Sequence, residues 1–525
     1  MSEPAAPLGP PAPHAPGPRP APPGGRPPRT PSLLENWTSL AGMVLAASSF
    51  FAAACLIAID YFRGFKNPYM GILTYLIAPA FLVAGLVLIA LGALLERRRR
   101  RRLAPGEVPR YPRLDLNVPR QRNTFVAVSA ATFLFLILTA LGSYRTYQFT
   151  ESVAFCGTTC HTIMHPEYTA YRESPHARVP CVACHIGPGA SWFVKSKLSG
   201  AYQVFATLTG RYPRPIPAPI RNLRPAQQTC EQCHWPRKFY GAVERVLPHY
   251  LPDSANSPWP IRLLLKIGGG DPAFGPVGGI HWHMNIANRI EYIATDSERQ
   301  VIPWVRLRDA RGRVTVFQST TDPLTPQQIA AARPRVMDCI DCHDRPTHIY
   351  QAPSTAVNLA MSTGGIDSTL PFIKREAVGA LTGKYASTAA AVAGIASTLK
   401  AFYDTADAGR IGGDTTAVSG AIAAVQRLYR HNFFPHMRVS WRVYPDNIGH
   451  KNFPGCFRCH DGNHVSADGR VIPHDCGTCH VILAQGPGAA ATLSAAGLPF
   501  KHPVDIGGVW QAMLCSDCHH GDLVQ

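Results

Sequence analysis

The stretch FCGTTCHTIMHPEYTAYRESPHARVPCVACH, residues 155–185, contains two cysteine pairs, each followed at once by a histidine. The second pair has the form CxxCH, and the first has the looser form CxxxCH. CxxCH is the attachment signature of a c-type haem, because two thioether bonds and one axial histidine must converge on one macrocycle. The stretch therefore predicts two covalently attached haems close together in the chain.

The same pattern recurs along the rest of the chain, which has 15 cysteines, of which only Cys55 lies outside a pair. The predicted attachment cysteines are Cys156, Cys160, Cys181, Cys184, Cys230, Cys233, Cys339, Cys342, Cys456, Cys459, Cys476, Cys479, Cys515 and Cys518. The predicted proximal iron ligands are His161, His185, His234, His343, His460, His480 and His519. The sequence thus predicts seven covalently bound haems c.

Other uses of paired cysteines explain less of the pattern. Zinc ribbons need two CxxC pairs per metal and no fixed following histidine. A CxxC redox site needs neither the histidine nor repetition. Disulfides stay formally open in an oxidising compartment. Haem attachment is the interpretation that uses every pair together with its histidine.

Each iron also needs a second axial ligand if the haems serve electron transfer, whereas an open position suits catalysis. Thirteen further histidines follow residue 150 and exceed that need. The favoured distal ligands are Met164, His176, His283, His348, His436, His450, His464 and His502. Met164 lies just after the first motif, and a methionine ligand raises the reduction potential of its haem.

Three apolar runs, over about 37–59, 69–95 and 124–142, are long enough to cross about 30 Å of hydrocarbon. Six consecutive arginines, Arg97 to Arg102, follow the second run. The positive-inside rule places that loop in the cytoplasm, so everything after about residue 145 is periplasmic. All seven motifs lie after residue 150, on the side where c-type haems are attached.

Composition and spacing divide the chain further. The formal net charge of +18 is offset by about 14 propionate charges on seven haems, so the chain is not predicted to bind nucleic acid. The predicted fold is mainly α: three transmembrane helices, then a multihaem region with sparse regular structure and a small β-containing middle section. That middle section has alternating, strand-like runs over 289–294 and 301–307 and an alanine-rich, helical stretch over about 385–430. The predicted segments are a disordered Pro-rich cytoplasmic tail over 1–35, a membrane anchor over 36–145 with its arginine-rich loop over 96–122, a first haem module over 146–240 with haems 1–3, a middle section over 241–430 with haem 4, and a C-terminal module over 431–525 with haems 5–7.

Over residues 123–205 the chain resembles the NapC/NrfH family of membrane-anchored quinol dehydrogenases. The resemblance lies in one membrane helix followed by FCGTTCHTIMHPEY, ESPHARVPCVACHIGPG and WFVKSKLSG. It implies menaquinol oxidation next to the first haem, with a methionine ligand that maps onto Met164. A lysine and an acid line the quinol site in some members. Lys195 or Lys197 matches the lysine, and Gln203 stands where the acid is expected.

The layout of three helices and seven haems looks more like the inner-membrane cytochromes of metal-reducing bacteria. The expected function is therefore oxidation of menaquinol and electron transfer through seven haems to a periplasmic acceptor, in anaerobic or extracellular respiration. The expected partners are the membrane quinol pool, periplasmic c-type cytochromes and the lipid bilayer. The alternative is a periplasmic terminal reductase of a small oxyanion, such as nitrite or a sulfur compound, with an open haem.

Overall fold

The computed structural model describes residues 32–63, 77–102, 115–159, 161–187, 189–220, 223–269, 273, 278–406 and 415–522. The chain divides into two compact units, Met1–Phe135 and Leu136–Gln525. Three parts of the sequence-based predictions lie outside the described residues: the tail over 1–31, the beginning of the second apolar run over 69–76, and the part of the arginine-rich loop over 103–114.

The apolar runs form helices α1 (Trp37–Arg63), α2 (Ala78–Arg100) and α3 (Pro119–Thr150). Among the described residues, these three helices have the length and composition to span a membrane, with mean hydropathies of 2.2, 2.5 and 2.3. Helices α1 and α2 touch through small residues: a Cβ added to Gly85 would lie 2.6 Å from the backbone nitrogen of Ala46. Such backbone contact is the usual way in which apolar helices associate in lipid.

The second unit continues with further helices, several of which lie at haem motifs. They are a π-helical turn (Phe155–Thr159), α4 (His161–Arg172), α5 (Cys181–His185), α6 (Ala190–Leu208), α7 (Pro326–Ala331), α8 (Pro353–Ser362), α9 (Ile373–Thr382), α10 (Thr388–Ala406), α11 (Thr415–Asn432), α12 (Cys476–Cys479) and α13 (Cys515–Cys518). Short 3-10 turns carry three further motifs: Cys230–Gln232, Cys339–Asp341 and Gly455–Arg458.

Two antiparallel sheets connect distant parts of the second unit. Their strands are β1 (Val243–Leu247), β2 (Ile261–Leu265), β3 (Arg289–Ile293), β4 (Trp304–Arg308), β5 (Val314–Ser319), β6 (Arg335–Val336), β7 (His464–Ser466), β8 (His480–Gln485) and β9 (Thr492–Leu498). The sheet orders are β1-β2-β8-β9 and β6-β3-β4-β5-β7. Both sheets therefore join strands of the middle section to strands near the C-terminal haem motifs.

Helices α8 to α11 form the largest protein-only core of the described chain. Its central side chains, including Val357, Ile373, Ile395, Leu399 and Val425, are fully buried. The alternating run over 289–294 and the alanine-rich stretch over 385–430 form a strand and two helices, as predicted. The predicted fold class is confirmed: three membrane-type helices precede a helical region with a smaller β component.

Candidate haem sites

The attachment motifs lie in helical turns whose geometry matches the spacing of their cysteines. The six strict motifs lie in 3-10 turns or in short α-helices, where side chains three residues apart share a side. The first motif has one extra residue between its cysteines, and it lies in the wider π-helical turn Phe155–Thr159. The local backbone of each strict motif thus brings its two thiols to one side, where they can meet one macrocycle. Cys160 of the first motif lies outside the described residues.

Each of the six strict-motif histidines faces a second imidazole ring. The ring centres are 6.4 Å apart for His185 and His348, 6.0 Å for His234 and His176, 6.4 Å for His343 and His281, 5.7 Å for His460 and His283, 6.2 Å for His480 and His450, and 6.0 Å for His519 and His502. If an iron were bonded at about 2.0 Å to one nitrogen of each ring, and each ring centre lay about 1.1 Å beyond that nitrogen, the two ring centres would be about 6 Å apart. These residues therefore fit six irons with two imidazole ligands each.

Hydrogen bonds orient several of the second rings. Nδ1 donates to a backbone carbonyl at 2.8 Å in His281, 2.8 Å in His283 and 3.0 Å in His348. A carbonyl only accepts, so Nδ1 holds the proton and Nε2 keeps the lone pair that a metal needs. Burial lowers the pKa of His348 to about 4, and burial also lowers the pKa of His519 to about 4. Both rings are therefore neutral, as iron ligation requires.

Two of the predicted distal histidines do not face any motif histidine whose side chain the structure describes. His464 is 2% exposed, and its Nδ1 pairs with the Asp461 carboxylate at 2.8 Å while its Nε2 pairs with the Ile302 carbonyl at 2.7 Å. Both nitrogens of His464 thus bond to protein atoms, and its role as an iron ligand stays a prediction. His436 faces His165, 6.0 Å away between ring centres. Its role as a ligand also stays a prediction, because the side chain of His161 lies outside the described part of the structure.

One facing histidine was not singled out from sequence. His281 faces His343, and His283, two residues later, faces His460. Both belong to the 3-10 turn Ile280–Met284, which presents its histidines to two different motifs. The signal was present in the sequence as IHWHM, in which a single residue separates the two histidines.

The first motif lies in a different environment. The Cys156 thiol interacts electrostatically with the Cys181 thiol of the second motif. Met164 packs against a buried apolar cluster that includes Phe434 and Met437. The side chain of His161 lies outside the described part of the structure, so the two ligands proposed for this iron stay predictions.

An ion pair lies beside the first motif. Lys197 of α6 donates to the Glu151 carboxylate at 2.6 Å, and the Glu151 side chain is 12% exposed. Both charges interact with the Cys156 thiol. The sequence analysis found no acid near the lysine in the chain. In the structure the acid beside Lys197 is Glu151, which directly follows α3 and precedes the first motif.

The other two residues predicted for this site lie elsewhere on α6. Lys195 is exposed, and its ammonium lies 4.7 Å from the centre of the Trp192 ring. Gln203 is exposed and donates to the Ser199 hydroxyl at 3.3 Å. Among the contacts described, neither reaches Glu151, so only Lys197 of the three predicted residues joins the acid.

Comparison with known proteins agrees with this arrangement. The N-terminal region of the NapC/NirT cytochrome c family matches residues 118–215. The chain is 44% identical over 493 residues to the cytochrome c-type protein ImcH of Geobacter sulfurreducens, which covers 94% of this chain and 96% of that protein. This chain belongs to the NapC/NirT cytochrome c family. No solved structure matches it.

As a NapC/NirT-family member, the protein is a c-type cytochrome of electron transport with covalently bound haem. Its three apolar helices anchor it in the inner membrane, and its cytochrome region lies in the periplasm. The family match spans α3, the first two motifs and α6, which is the part of the chain that holds the Lys197–Glu151 pair.

The fourth motif of this NapC/NirT-family cytochrome is anchored by a buried acid between its cysteines. The Asp341 carboxylate is 3% exposed and accepts hydrogen bonds from the Tyr292 hydroxyl at 2.7 Å, Arg299 at 2.9 Å and Arg335 at 2.8 Å. This network ties the attachment turn to strands β3 and β6.

We expect Asp341→Ala to destabilise the folded periplasmic region by about 3–5 kcal/mol, because two guanidinium groups lose a buried partner. Thermal unfolding of the purified holoprotein measures the change, and haem content per chain should fall by one. Asp309→Ala, which breaks an exposed pair with Arg313, is the matched control and should leave the unfolding temperature unchanged. Equal unfolding temperatures for the two variants would contradict the anchoring role.

Proposed function

We propose that this cytochrome oxidises menaquinol at the inner membrane and passes the electrons through seven covalently bound haems c to a periplasmic acceptor, a c-type cytochrome, in anaerobic or extracellular respiration. The observation that carries the proposal is the Lys197–Glu151 pair, held at 2.6 Å beside the cysteine of the first motif. Bound haem supplies the one-electron chemistry, and the protein supplies the site for the quinol and its protons.

Quinol oxidation releases two protons, so the site needs a base next to the hydroxyl group. The Glu151 carboxylate can accept a proton from such a group, and Lys197, which pairs with it, can donate a hydrogen bond to a quinol oxygen. The Lys197 ammonium also lies 4.8 Å from the centre of the Phe193 ring, which itself lies 6.4 Å from the Tyr147 ring. An ion pair flanked by aromatic rings suits a flat, partly apolar substrate.

Helix α6 supports access from the lipid. Leu198, Tyr202 and Leu208 are 69%, 66% and 82% exposed, which is unusual for large apolar side chains in contact with water alone. A helix with such a face fits the interface between bilayer and periplasm. An apolar quinol could then approach Glu151 without leaving the membrane surface.

The number of haems and their ligation support electron transfer over reduction of a small oxyanion. We assign the six facing pairs as axial ligands: His185 with His348, His234 with His176, His343 with His281, His460 with His283, His480 with His450, and His519 with His502. A terminal reductase needs an open iron with a vacant position for its substrate. Two imidazoles on each of six irons leave no such position there.

The decisive experiment uses the full chain in isolated inner membranes. A soluble menaquinol analogue should reduce the haems within the mixing time of a conventional spectrometer, and dithionite should add no more than a small further amplitude. A pyridine haemochrome assay on the purified chain should give seven haems. Haems that stay oxidised with the analogue but are reduced by dithionite would refute the quinol role, whereas a wrong haem count would refute only the cofactor number.

A further inference from the structure

The contacts between successive motifs define an order of the haem sites in space. We number the sites in chain order, from site 1 at Cys156 to site 7 at Cys515. Sites 1 and 2 meet through Tyr171 of α4, whose hydroxyl donates to the carbonyls of Ala177 and Val179, just before the second motif, at 2.7 and 3.0 Å. Sites 3 and 4 meet where the turn Ala226–Gln228, just before the third motif, packs against the turn Cys339–Asp341 of the fourth. Each of these contacts places the segment of one site against the segment of the next.

Sites 2 and 3 are joined through the residues that follow and precede their motifs. Arg224, shortly before the third motif, donates to the carbonyl of Ile186, directly after the second, at 3.3 Å. The Cys184 thiol also interacts electrostatically with Cys230 and Cys233. The second and third motifs are therefore neighbours.

Sites 4, 5 and 6 are joined by direct contacts between their motifs. Arg458, within the fifth motif, donates to the carbonyl of Asp341, within the fourth, at 2.7 Å. His450, which faces His480 of the sixth motif, stacks on Phe457 of the fifth with ring centres 4.3 Å apart. Each motif in this part of the chain thus touches the next one.

Sites 6 and 7 are joined through the second half of one sheet. His480 of the sixth motif begins β8, which pairs with β9. The segment after β9 is tied back to β8, because the Lys501 N–H donates to the Gln485 side chain at 3.0 Å. The next residue, His502, faces His519 of the seventh motif. The segment that follows the sixth motif therefore holds the histidine that faces the seventh.

We propose that the seven haem sites form one unbranched row in chain order, with site 1 beside the quinol site at one end and site 7 at the other. This inference rests on the proposed function only for its direction. Because electron tunnelling falls steeply with distance, the row makes each haem the necessary step to the next. The terminal site, at Cys515, Cys518 and His519, is then the place from which electrons leave for a periplasmic c-type cytochrome.

One contact offers a rival arrangement. His348, which faces His185 of site 2, follows the fourth motif closely in the chain. A shortcut from site 2 to site 4 would make site 3 dispensable. Removing haem 3 therefore separates the two arrangements.

The test compares Cys230→Ala/Cys233→Ala with Cys476→Ala/Cys479→Ala, which remove haem 3 and haem 6. With the menaquinol analogue, the unbranched row predicts rapid reduction of two of the six remaining haems in the first variant and of five in the second. The remaining haems should follow at least about 100-fold more slowly. Dithionite reduction of six haems verifies that each variant is otherwise loaded. Rapid reduction of all six in the first variant would overturn the row, whereas a wild-type chain that the analogue does not reduce would refute the quinol role alone.

A second measurement does not depend on quinol oxidation. The facing rings are nearly perpendicular at site 3 and site 5, at 78° and 82°, but nearly parallel at site 4, at 11°. Perpendicular axial rings give ferric haems with a distinct large-g EPR signal, so sites 3 and 5 can be observed apart from sites with parallel rings. His281→Ala should convert haem 4 from low spin to high spin. A high-spin iron between sites 3 and 5 should shorten the spin-relaxation time of their large-g signal at least twofold. Unchanged relaxation would contradict the placement of site 4 between sites 3 and 5, even if a cysteine variant fails to fold.

Discussion

Replacing Glu151 with glutamine should slow menaquinol-driven haem reduction by about 100-fold or more, because a positioned general base contributes about 10²–10⁴ to such a rate. The substitution keeps the shape of the side chain and removes only its ability to take up a proton. Lys197 would keep a hydrogen-bond acceptor, since the amide oxygen replaces the carboxylate oxygen 2.6 Å away. The expected loss therefore reports on proton transfer rather than on folding.

Stopped-flow absorbance in membranes measures this rate, with dithionite-reduced spectra as the measure of haem content. Glu173→Gln is the matched control: it makes the same chemical change just after α4, on a side chain that is 63% exposed. Lys197→Ala should also lower the rate, whereas Lys195→Ala, two residues away on α6, should not. If Glu151→Gln and Glu173→Gln reduce at the same rate, Glu151 is not the proton acceptor.

Replacing His283 with alanine should convert one haem per chain from low spin to high spin and let it bind one carbon monoxide when reduced. The reason is that His283 faces His460 at 5.7 Å and its Nδ1–carbonyl bond leaves Nε2 for the iron. Removal of this ring leaves the iron of the fifth site with one protein ligand and an open position. The wild-type protein should bind no carbon monoxide at that site.

His464→Ala is the control for His283→Ala, because the sequence analysis predicted both histidines as distal iron ligands. His464 holds Asp461 and the Ile302 carbonyl rather than an iron, so its loss should leave every low-spin signal in place. The buried acceptors would lose a partner, so the unfolding temperature should fall while the spectra do not change. A new high-spin haem in His464→Ala, or none in His283→Ala, would show that the ligand assignment is wrong.

The accuracy of the predictions from sequence depends on how far apart in the chain the residues that form each feature lie. The membrane helices and the haem attachment motifs are local: an apolar run must satisfy its own backbone within one helix, and two thiols must meet one macrocycle. Even the extra residue between Cys156 and Cys160 matches a local feature, the π-helical turn Phe155–Thr159. Strands β3 and β4 were readable for the same reason, from alternation along a few residues.

The distal ligands were not readable with the same accuracy, because a ligand is chosen by position in space. His283 and His464 were equal candidates by sequence, yet hydrogen bonds engage both nitrogens of His464. His281 was passed over although it shares a turn with His283. Sequence supplies more histidines than irons, and only packing decides which ring points toward a haem.

What the sequence determined by itself is therefore the membrane anchor, the side of the membrane on which the cytochrome region lies, and the predicted positions of haem attachment. The tertiary structure decided the rest, namely the histidine that each of the six strict-motif histidines faces, the pairing of Glu151 with Lys197, and the contacts that join successive motifs. The physical reason is that spacing along the chain fixes bonds made within one turn of backbone. Axial ligands, proton acceptors and haem order depend instead on segments such as those of His185 and His348, which are distant in the chain and meet only when it folds.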